Sequence, residues 1–312
     1  MTVRSITADE AGLFAIAGGA ASTPERIRAI WSAGESRPEW CFIAEEEGRP
    51  IGRVGFLTLG TIRHDLLIFG LALPWDGDYP GIGRGLLRDG LAAMMDRGAA
   101  MIEHHLPMKT TPNARERAML LESIGLPLSQ RKARFLLEPA VPPAQGRDRL
   151  VFRTLRQAGE EEFIAAIAEV TAGTLDTLHR MDVAAAGPAA AAREFYNALV
   201  SIDHNPDWWE LAYRDDDFVG LIVPQRFTPE KGALNYIGVA PRHRGGGYVD
   251  DLLRRGIARL AEHGIERVIA DTDVENHPAA AALLRAGFRR GETLGIYRGT
   301  ISSILDGMDA AL

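Results

Sequence analysis

Cysteine is scarce in this sequence, and its scarcity limits the sites that the chain can build. The 312 residues include one cysteine, Cys41. A single cysteine excludes an internal disulfide bond and a zinc site made of several thiolates. Histidine and carboxylate ligands are still available, but His104 and His105 are adjacent on a predicted strand, where neighbouring side chains point to opposite faces. We therefore expect no metal.

Long apolar runs without charges are also missing. No stretch reaches the roughly 18 residues that a membrane-spanning helix needs. Residues 1–19 hold a short apolar stretch with acidic residues inside it, which differs from an export signal. We expect a cytoplasmic protein with no membrane partner, and a single reduced cysteine agrees with that expectation.

Basic residues are outnumbered by acidic ones. Lysine and arginine number 35 against 42 aspartates and glutamates, so the formal net charge is −7. An acidic chain is poorly suited to bind a phosphate backbone, and we expect no nucleic acid partner, although a local basic pocket is compatible with this composition. The hydrophobic fraction of 46% and the charged fraction of 25% are typical of a globular protein.

A proline-rich stretch divides the chain near its middle. Residues 138–146 contain three prolines and one glycine, which cannot continue a helix or a central strand. The length of the chain also predicts about two domains. We interpret residues 139–148 as a linker between an N-terminal domain, residues 1–138, and a C-terminal domain, residues 149–312.

The two halves repeat one order of predicted elements. Each has helical segments, two strands joined by an acidic turn, and a third strand that runs into a proline, a glycine-rich turn and a helix. This order, at a period of about 165 residues, predicts two copies of one fold. The predicted strands are residues 40–44, 51–57 and 66–73 in the first half, and 209–213, 218–223 and 234–239 in the second.

The glycine-rich turn of the second half carries the strongest chemical signal. The strand predicted to end at Val239 is followed by Pro241, by glycines at 245–247, and by a helix from about Tyr248. Unpaired amides at a helix start, together with the helix dipole, form an anion site, and Arg244 adds a positive charge at its mouth. The pattern favours a pyrophosphate ligand, and a turn that binds nothing is the alternative. It is neither a dinucleotide fingerprint nor a Walker loop.

This turn resembles the coenzyme A loop of the GNAT N-acetyltransferases. The family's loop usually reads Gln/Arg-x-x-Gly-x-Gly/Ala. Arg244 and Gly247 match it, while Val249 stands where glycine or alanine is usual. A second segment is also similar, because the strand over residues 267–273 is followed by Asn276, a helix and a Gly-Phe pair. Two such segments at the expected separation are more specific than either alone.

The resemblance implies a fold and a reaction. It implies a tandem of two GNAT-like acyl-CoA N-acyltransferase domains of the α/β (α+β) class, an arrangement also seen in mycothiol synthase. Each domain would be a twisted mixed sheet flanked by helices. It also implies acetyl-CoA as cosubstrate and direct attack by a small-molecule primary amine in a ternary complex. The chain would be a monomer, with its halves as a pseudo-dimer, or a homodimer.

The resemblance also assigns residues to the coenzyme. A splay beside the third strand would admit the pantetheine arm, and Asn276 would contact the coenzyme or cap the helix that follows it. In the second half, the positions implied for the coenzyme are Ile237, Gly238, Val239, Arg244, Gly245, Gly246, Gly247, Tyr248, Val249 and Asn276.

The usual acid and base of the family are missing from this sequence. Many members have a carboxylate where this chain has Asn235, and a donor tyrosine where it has Leu283. Asn235 is expected to orient a water molecule or bind substrate. Asp271 is a candidate base or substrate anchor, with a solvated strand-end acid as the alternative interpretation. The candidate proton donors are Tyr236, Tyr248 and Tyr297.

The first half resembles the family more weakly. Gly81 and Gly83 keep the glycine spacing, but Asp78 takes the Gln/Arg position. A carboxylate there would repel a pyrophosphate. We interpret this half as a degenerate copy that is structural or holds a coenzyme without using it.

Two other functions are compatible with the sequence. A non-catalytic acyl-CoA-binding or regulatory protein is suggested by Asn235 and Leu283. A mycothiol-synthase-like acetylation of an aminosugar–cysteine conjugate keeps the chemistry and specifies the acceptor. The resemblance also implies that residues 174–200 shape specificity, because the early helices of the family cover the acceptor site. Trp208 and Trp209 are expected in the core or, alternatively, in a substrate pocket.

Overall fold

The computed structural model places the chain in two units. It describes residues 1–19, 22–58, 65–143 and 149–310. The first unit comprises Met1–Ser129 and Gly295–Leu312, and the second comprises Gln130–Leu294. Residues 144–148 of the predicted linker lie outside the described residues, so the linker stays a prediction.

The first unit contains five complete strands and five α-helices within its described residues. They are β1 (Thr2–Ser5), α1 (Ala11–Ile16), α2 (Pro24–Ser32), β2 (Cys41–Glu46), β3 (Arg49–Leu57), β4 (Asp65–Ala72), α3 (Tyr79–Met95), β5 (Met101–Pro107), α4 (Ala114–Ser123) and, at the end of the chain, α11 (Ile301–Ala310).

Strand β6 (Leu128–Leu137) pairs with a strand of the second unit, and the unit boundary falls near its first residue. The other elements of the second unit are β7 (Val151–Thr154), α5 (Leu155–Ala158), α6 (Glu160–Thr171), α7 (Thr177–Ala186), α8 (Pro188–Ser201), β8 (Glu210–Arg214), β9 (Asp217–Arg226), β10 (Lys231–Val239), α9 (Tyr248–Ala261), β11 (Arg267–Asp273) and α10 (His277–Arg285). The other boundary falls inside β12 (Arg289–Thr300).

The two units share one strand plan. The order is β1-β2-β3-β4-β5 in the first unit and β7-β8-β9-β10-β11-β6 in the second. The pairs β4–β5 and β10–β11 are parallel, and the remaining pairs of these two series are antiparallel. The predictions of two copies of one α/β fold and of mixed sheets with flanking helices are therefore confirmed.

The acidic turns predicted from the sequence close the hairpins β2–β3 and β8–β9. In the first hairpin Glu47 and Gly48 have φ values of 50° and 75°, and in the second Asp215 and Asp216 have 49° and 63°. Two consecutive left-handed residues form the hairpin turn whose twist matches that of the flanking strands. Aspartate and glycine tolerate this conformation better than most residues do.

The core of the second unit lies between its sheet and its helices. Trp209 is completely buried there, with its ring 5.9 Å from that of Phe163 on α6. Its place is therefore in the core, and the alternative of a substrate pocket is not supported by this position. A separate core in the first unit includes Phe56 and Leu91. Among the described residues, no helix combines the length and apolar character needed to cross a membrane.

The parallel strands of each unit separate after a short paired stretch. Residues 231–233 of β10 pair with 267–269 of β11. Beyond them, β10 pairs with β9, and β11 pairs with β6. The edge of β10 that faces β11 is therefore open from Asn235 to Val239. We call this space the β10–β11 gap.

Candidate functional site

A bulge in β10 directs side chains to different faces beside the β10–β11 gap. The register with β9 shifts between Leu234 and Tyr236, so Asn235 has no single partner there. Residues two apart on a regular strand share one face. Here Leu234 packs near Gly256 of α9, whereas the Tyr236 hydroxyl meets Thr171 of α6. The bulge thus directs Tyr236 toward α6, on the opposite side of the sheet from α9.

Two backbone N–H groups of β10 face the gap. The N–H of Ala240 donates to the Val219 carbonyl of the neighbouring chain segment at 2.8 Å. Because N–H groups alternate between the two edges of a strand, those of Val239 and Ile237 point to the opposite edge. The Val239 carbonyl accepts a hydrogen bond from Arg244 Nε at 3.2 Å on that same edge. Such fixed donors can polarise a carbonyl oxygen placed in the gap.

The glycine loop, residues 244–248, leads from β10 to the start of α9. Gly245 and Gly247 have φ values of 80° and 73°, a conformation that most side chains disfavour. Gly246 donates its N–H to the His243 carbonyl at 3.3 Å, and no acceptor for the N–H groups of Gly245, Gly247 or Tyr248 is found among the described residues. Unpaired amides at a helix start attract an anion.

Arg149 holds this loop in place, a role that no sequence pattern indicates. Its Nε donates to the buried Asp251 carboxylate at 2.7 Å and its Nη2 to the Gly246 carbonyl at 3.1 Å. Its guanidinium lies 4.2 Å from the centre of the Tyr248 ring. Arg149 precedes β7 and is remote in sequence from the loop, so only the fold brings them together.

The resemblance implies that this loop binds acetyl-CoA, and replacing Arg149 with alanine is then expected to weaken that binding about tenfold, because the loop loses its contacts at Gly246 and Tyr248. Isothermal titration calorimetry measures the affinity. Arg153→Ala is the matched control, since that arginine contacts Tyr213 instead of the loop. An Arg149→Ala variant that binds as tightly as the control would contradict this role.

The structure directs the Arg244 side chain away from the unpaired loop amides. Its guanidinium donates to the carbonyls of Val170 at 3.0 Å, Ala172 at 2.8 Å and Gly173 at 3.0 Å, besides that of Val239. The first three carbonyls belong to the end of α6 and the turn after it. Arg244 thus ties the glycine loop to α6, whereas the sequence suggested a charge at the mouth of the anion site.

Gly238 and Asn276 each have a contact within the protein. A Cβ at Gly238 would lie 2.6 Å from Val170, so glycine is needed for the close packing of α6 on β10. The side chain of Asn276 accepts the Ala279 N–H at 3.2 Å and caps α10. The capping alternative is therefore present in the structure, and a coenzyme contact of Asn276 stays a prediction.

Tyr236 lies among polar and aromatic groups beside the gap. Its hydroxyl is 3.2 Å from Thr171 Oγ1. Its ring centre is 5.3 Å from that of His179 and 4.8 Å from that of Phe195. Burial raises the pKa of Tyr236 to about 12. The hydroxyl is protonated at neutral pH, as that of an ordinary tyrosine is.

His179 and Asp176 form a pair that sequence reasoning missed. His179 Nδ1 lies 3.9 Å from Asp176 Oδ1, and the backbone N–H of His179 donates to the same carboxylate at 3.0 Å, which caps α7. Burial alone raises the pKa of Asp176, but nearby Lys132 and His179 outweigh it and lower that pKa. The signal available in the sequence was only that both residues fall in the segment 174–200, predicted to shape specificity.

A second carboxylate is linked to this pair. Gln130 Nε2 donates to Asp176 at 2.9 Å and to the buried Asp273 at 3.0 Å. Asp273 also accepts the Thr177 N–H at 3.1 Å, which fixes the start of α7 to the end of β11. Although burial raises the pKa of Asp273, its hydrogen bonds to Glu275, Thr177 and Gln130 lower it overall.

The other predicted catalytic residues have partners of their own. Asn235 Nδ2 donates to Gln225 Oε1 at 2.5 Å. Asp271 forms a bidentate ion pair with Arg134, at 2.9 and 2.8 Å, so its charge is compensated. The Tyr248 hydroxyl accepts from Arg214 at 2.8 Å. Tyr297 belongs to the core of the first unit. Tyr236 is thus the predicted donor that lies beside the gap.

The corresponding gap of the first unit contains its own side chains. Residues 65–67 of β4 pair with 101–103 of β5, and His104 follows directly. The ring of His104 lies 3.1 Å from the Ile68 carbonyl, and Arg117 donates to the Leu71 carbonyl at 2.5 Å. The residue matching His104 in the second unit is Ala270, whose side chain is a single methyl group.

The glycine turn of the first unit is also engaged internally. The carboxylate of Asp78 accepts the Gly81 N–H at 3.4 Å and caps α3. A carboxylate of the chain thus uses an amide that an external anion would need. These contacts support the interpretation of the first half as a degenerate copy.

Neither Cys41 nor a metal cluster offers an alternative centre in the described part of the chain. Cys41 is buried, and burial raises the pKa of its thiol to about 11. Among the residues that the structure describes, no group of three or more histidine, cysteine or acidic side chains is arranged to hold a metal ion.

One known protein family matches the part of the chain that contains this site. The profile of the "Acetyltransferase (GNAT) family" matches residues 174–288. That range contains β10, the glycine loop and β11, and it also contains the pair Asp176 and His179.

Two curated relatives are mycothiol acetyltransferases. That of Corynebacterium glutamicum (strain R) is 28% identical over 96 residues, which are 29% of this chain and 33% of that protein. That of Streptomyces bingchenggensis (strain BCW-1) is 33% identical over 95 residues, which are 30% of this chain and 31% of that protein. The chain thus matches about a third of the length of each of these relatives.

Solved structures are similar over nearly the whole chain. A GCN5-related N-acetyltransferase from Sphaerobacter thermophilus has a TM-score of 0.62 and 20% identity, covering 96% of this chain and 95% of that one. A tandem GNAT protein from the clavulanic acid biosynthesis pathway has a TM-score of 0.55 and 15% identity, covering 96% and 98%. At these identities the likeness concerns the fold.

Proposed function

We propose that this chain, a tandem GNAT protein, uses its second unit to transfer the acetyl group of acetyl-CoA to a primary amine of a small molecule. One observation carries the proposal. In the second unit, an open gap with two inward N–H groups continues into unpaired amides at the start of α9. The first unit has the same strand plan, but its gap is filled by side chains.

The residues present suit acetyl-CoA, which supplies an acyl group activated as a thioester. The unpaired N–H groups of Gly245, Gly247 and Tyr248 can donate hydrogen bonds to the oxygens of a diphosphate. Ala270 leaves room in the gap for a narrow pantetheine arm. The N–H groups of Ile237 and Val239 are proposed to stabilise the negative charge that develops on the thioester oxygen.

Two groups near the gap are proposed to move protons. The amine nitrogen attacks the carbonyl carbon, and the carbon–sulfur bond breaks. His179, whose ring lies near the Asp176 carboxylate, is proposed to accept the proton of the amine, and Tyr236 to donate its proton to the leaving thiolate. Tyr236 is protonated at neutral pH, and its raised pKa makes it a weaker acid than an ordinary tyrosine.

Asn235 and Asp271 have supporting roles in this proposal. Asn235, linked to Gln225, is proposed to orient a water molecule or the acceptor. Asp271 is proposed to anchor the acceptor as part of its ion pair with Arg134. The pKa of the Cys41 thiol, about 11, means that the nucleophilic thiolate is scarce at neutral pH. This favours direct transfer in a ternary complex over an acyl-enzyme at Cys41.

A second candidate concerns the acceptor. The curated relatives are mycothiol acetyltransferases, which favours an aminosugar–cysteine conjugate as the amine. The matched segments cover about a third of those proteins, so this substrate is a narrower proposal than acetyl transfer itself.

Titration with acetyl-CoA, followed by an assay of thiol release with a panel of amines, tests both proposals. We expect one binding site per chain, because the first unit uses its gap and its loop amide internally. Release with several small amines supports the general activity, and release with a cysteinyl amine alone supports the second candidate. Binding without release for any amine would instead favour an acyl-CoA-binding regulator, and no binding at millimolar concentration would overturn the function.

A further inference from the structure

Arg244 connects two parts of the second unit through a single side chain. It is the first residue of the glycine loop, and its guanidinium donates to three carbonyls at the end of α6 and the turn after it, Val170, Ala172 and Gly173. The last carbonyls of a helix have no partner within the helix. A cation at this end is favourable because the helix dipole is negative there.

The turn that Arg244 holds leads directly into α7. That helix contains no buried residue. It lies between Gly173 and Gly187, which have φ values of 61° and 81°. Its first residue, Thr177, is bonded to Asp273, and His179 lies against Tyr236. Helix α7 packs against α8, and the contacts of its first residues with Asp273 and Tyr236 lie close to the turn that Arg244 binds.

We propose that Arg244 is a positioning residue that couples anion binding at the glycine loop to the placement of α7, so that acetyl-CoA binding orders the acceptor side of the gap. This inference rests on the proposed function. A diphosphate bound by the loop amides would fix the backbone of residues 244–248. Arg244 would transmit that constraint to residues 170–173, and from there to His179 on α7.

The rival interpretation gives Arg244 a direct contact with phosphate. In that case its charge would matter most, and lysine would replace it well. In the coupling interpretation the planar, multi-donor guanidinium matters, because one ammonium group cannot reach four carbonyls in a fixed geometry. Arg244→Lys therefore separates the two interpretations, and Arg244→Ala removes both the charge and the donors.

Hydrogen exchange measured by mass spectrometry, with coenzyme A as the probe, tests the coupling. The measured quantity is the slowing of exchange in residues 172–186 at saturating coenzyme A. We expect at least about fivefold slowing in the wild type and less than about twofold in both Arg244 variants. Arg285→Gln is the matched control, because that arginine pairs with Asp250 of α9 and does not contact the turn. It should behave as the wild type does.

Each outcome decides the proposal. Slowing in Arg244→Lys equal to that of the wild type would overturn the role of the guanidinium. Coenzyme A binding to the wild type without any slowing of residues 172–186 would overturn the coupling and leave the proposed function intact. Failure of the wild type to bind coenzyme A would overturn the proposed function together with the coupling. Circular dichroism shows whether each variant is folded. If Arg244→Ala does not fold, the test is made with Arg244→Lys alone.

Discussion

Aspartate at position 247 is expected to weaken acetyl-CoA binding at least about a hundredfold, whereas asparagine at the same position should change it less than about threefold. Gly247 has a φ of 73°, a conformation that asparagine and aspartate adopt more readily than other residues with side chains. A Cβ there would meet only Arg149 Nη2, at an ordinary 3.6 Å. Both variants should therefore keep the fold.

The two variants differ in charge and have nearly the same shape. Two opposite or like unit charges about 4 Å apart near a protein surface interact by about 4 kcal/mol, and a hundredfold change in affinity corresponds to about 2.7 kcal/mol. Aspartate would also draw Arg149 away from the Gly246 carbonyl. Calorimetric titration of both variants provides the measurement. Equal affinities for the two would show that the loop amides do not hold the diphosphate.

Acid is expected to destabilise the first unit through His104. Burial lowers the pKa of His104 from 6.5 to about 4. Between these two pH values the unfolded chain binds a proton that the folded unit does not. The contribution of His104 to the free energy of unfolding is therefore fully present above pH 6.5 and is lost as the pH falls toward 4. A difference of this size corresponds to about 3 kcal/mol of unfolding free energy.

Urea unfolding at several pH values tests this expectation. His104→Gln is the informative variant, because an amide can still donate to the Ile68 carbonyl but does not titrate in this range. Between pH 6.5 and pH 4, the free energy of unfolding of the wild type should fall by about 3 kcal/mol more than that of the variant. Parallel losses in the two proteins would mean that His104 is not the group responsible.

The parts of the fold that depend on local pattern were predictable from the sequence. The hairpin turns at Glu47-Gly48 and Asp215-Asp216 combine polar turn residues with flanking apolar runs, and both hairpins are confirmed. The order of strand, glycine turn and helix around Gly247 is likewise encoded by neighbouring residues. Such features need no information about distant parts of the chain.

The fate of individual charged side chains was not predictable in the same way. Arg244 belongs to the glycine loop, but its acceptors at the end of α6 and in the turn after it are more than 70 residues away in sequence. Asp271 forms an ion pair with Arg134, which is 137 residues away in sequence, and Arg149 forms one with Asp251, which is 102 residues away. His179 becomes a candidate base only because α7 packs it against Tyr236. These partnerships arise from tertiary structure and leave no periodic signal in the sequence.

Strand β6 makes the protein awkward to dissect. The chain passes through β6 before it reaches the proline-rich stretch, yet residues 132–137 of β6 pair with β11. A fragment expressed from residue 149 onward would lack this neighbour and would expose a bare strand edge, which invites self-association. A simple cut at the prolines would yield a C-terminal half that lacks one of its own strands. Studying the two halves separately therefore requires a circularly permuted chain or co-expression of two fragments.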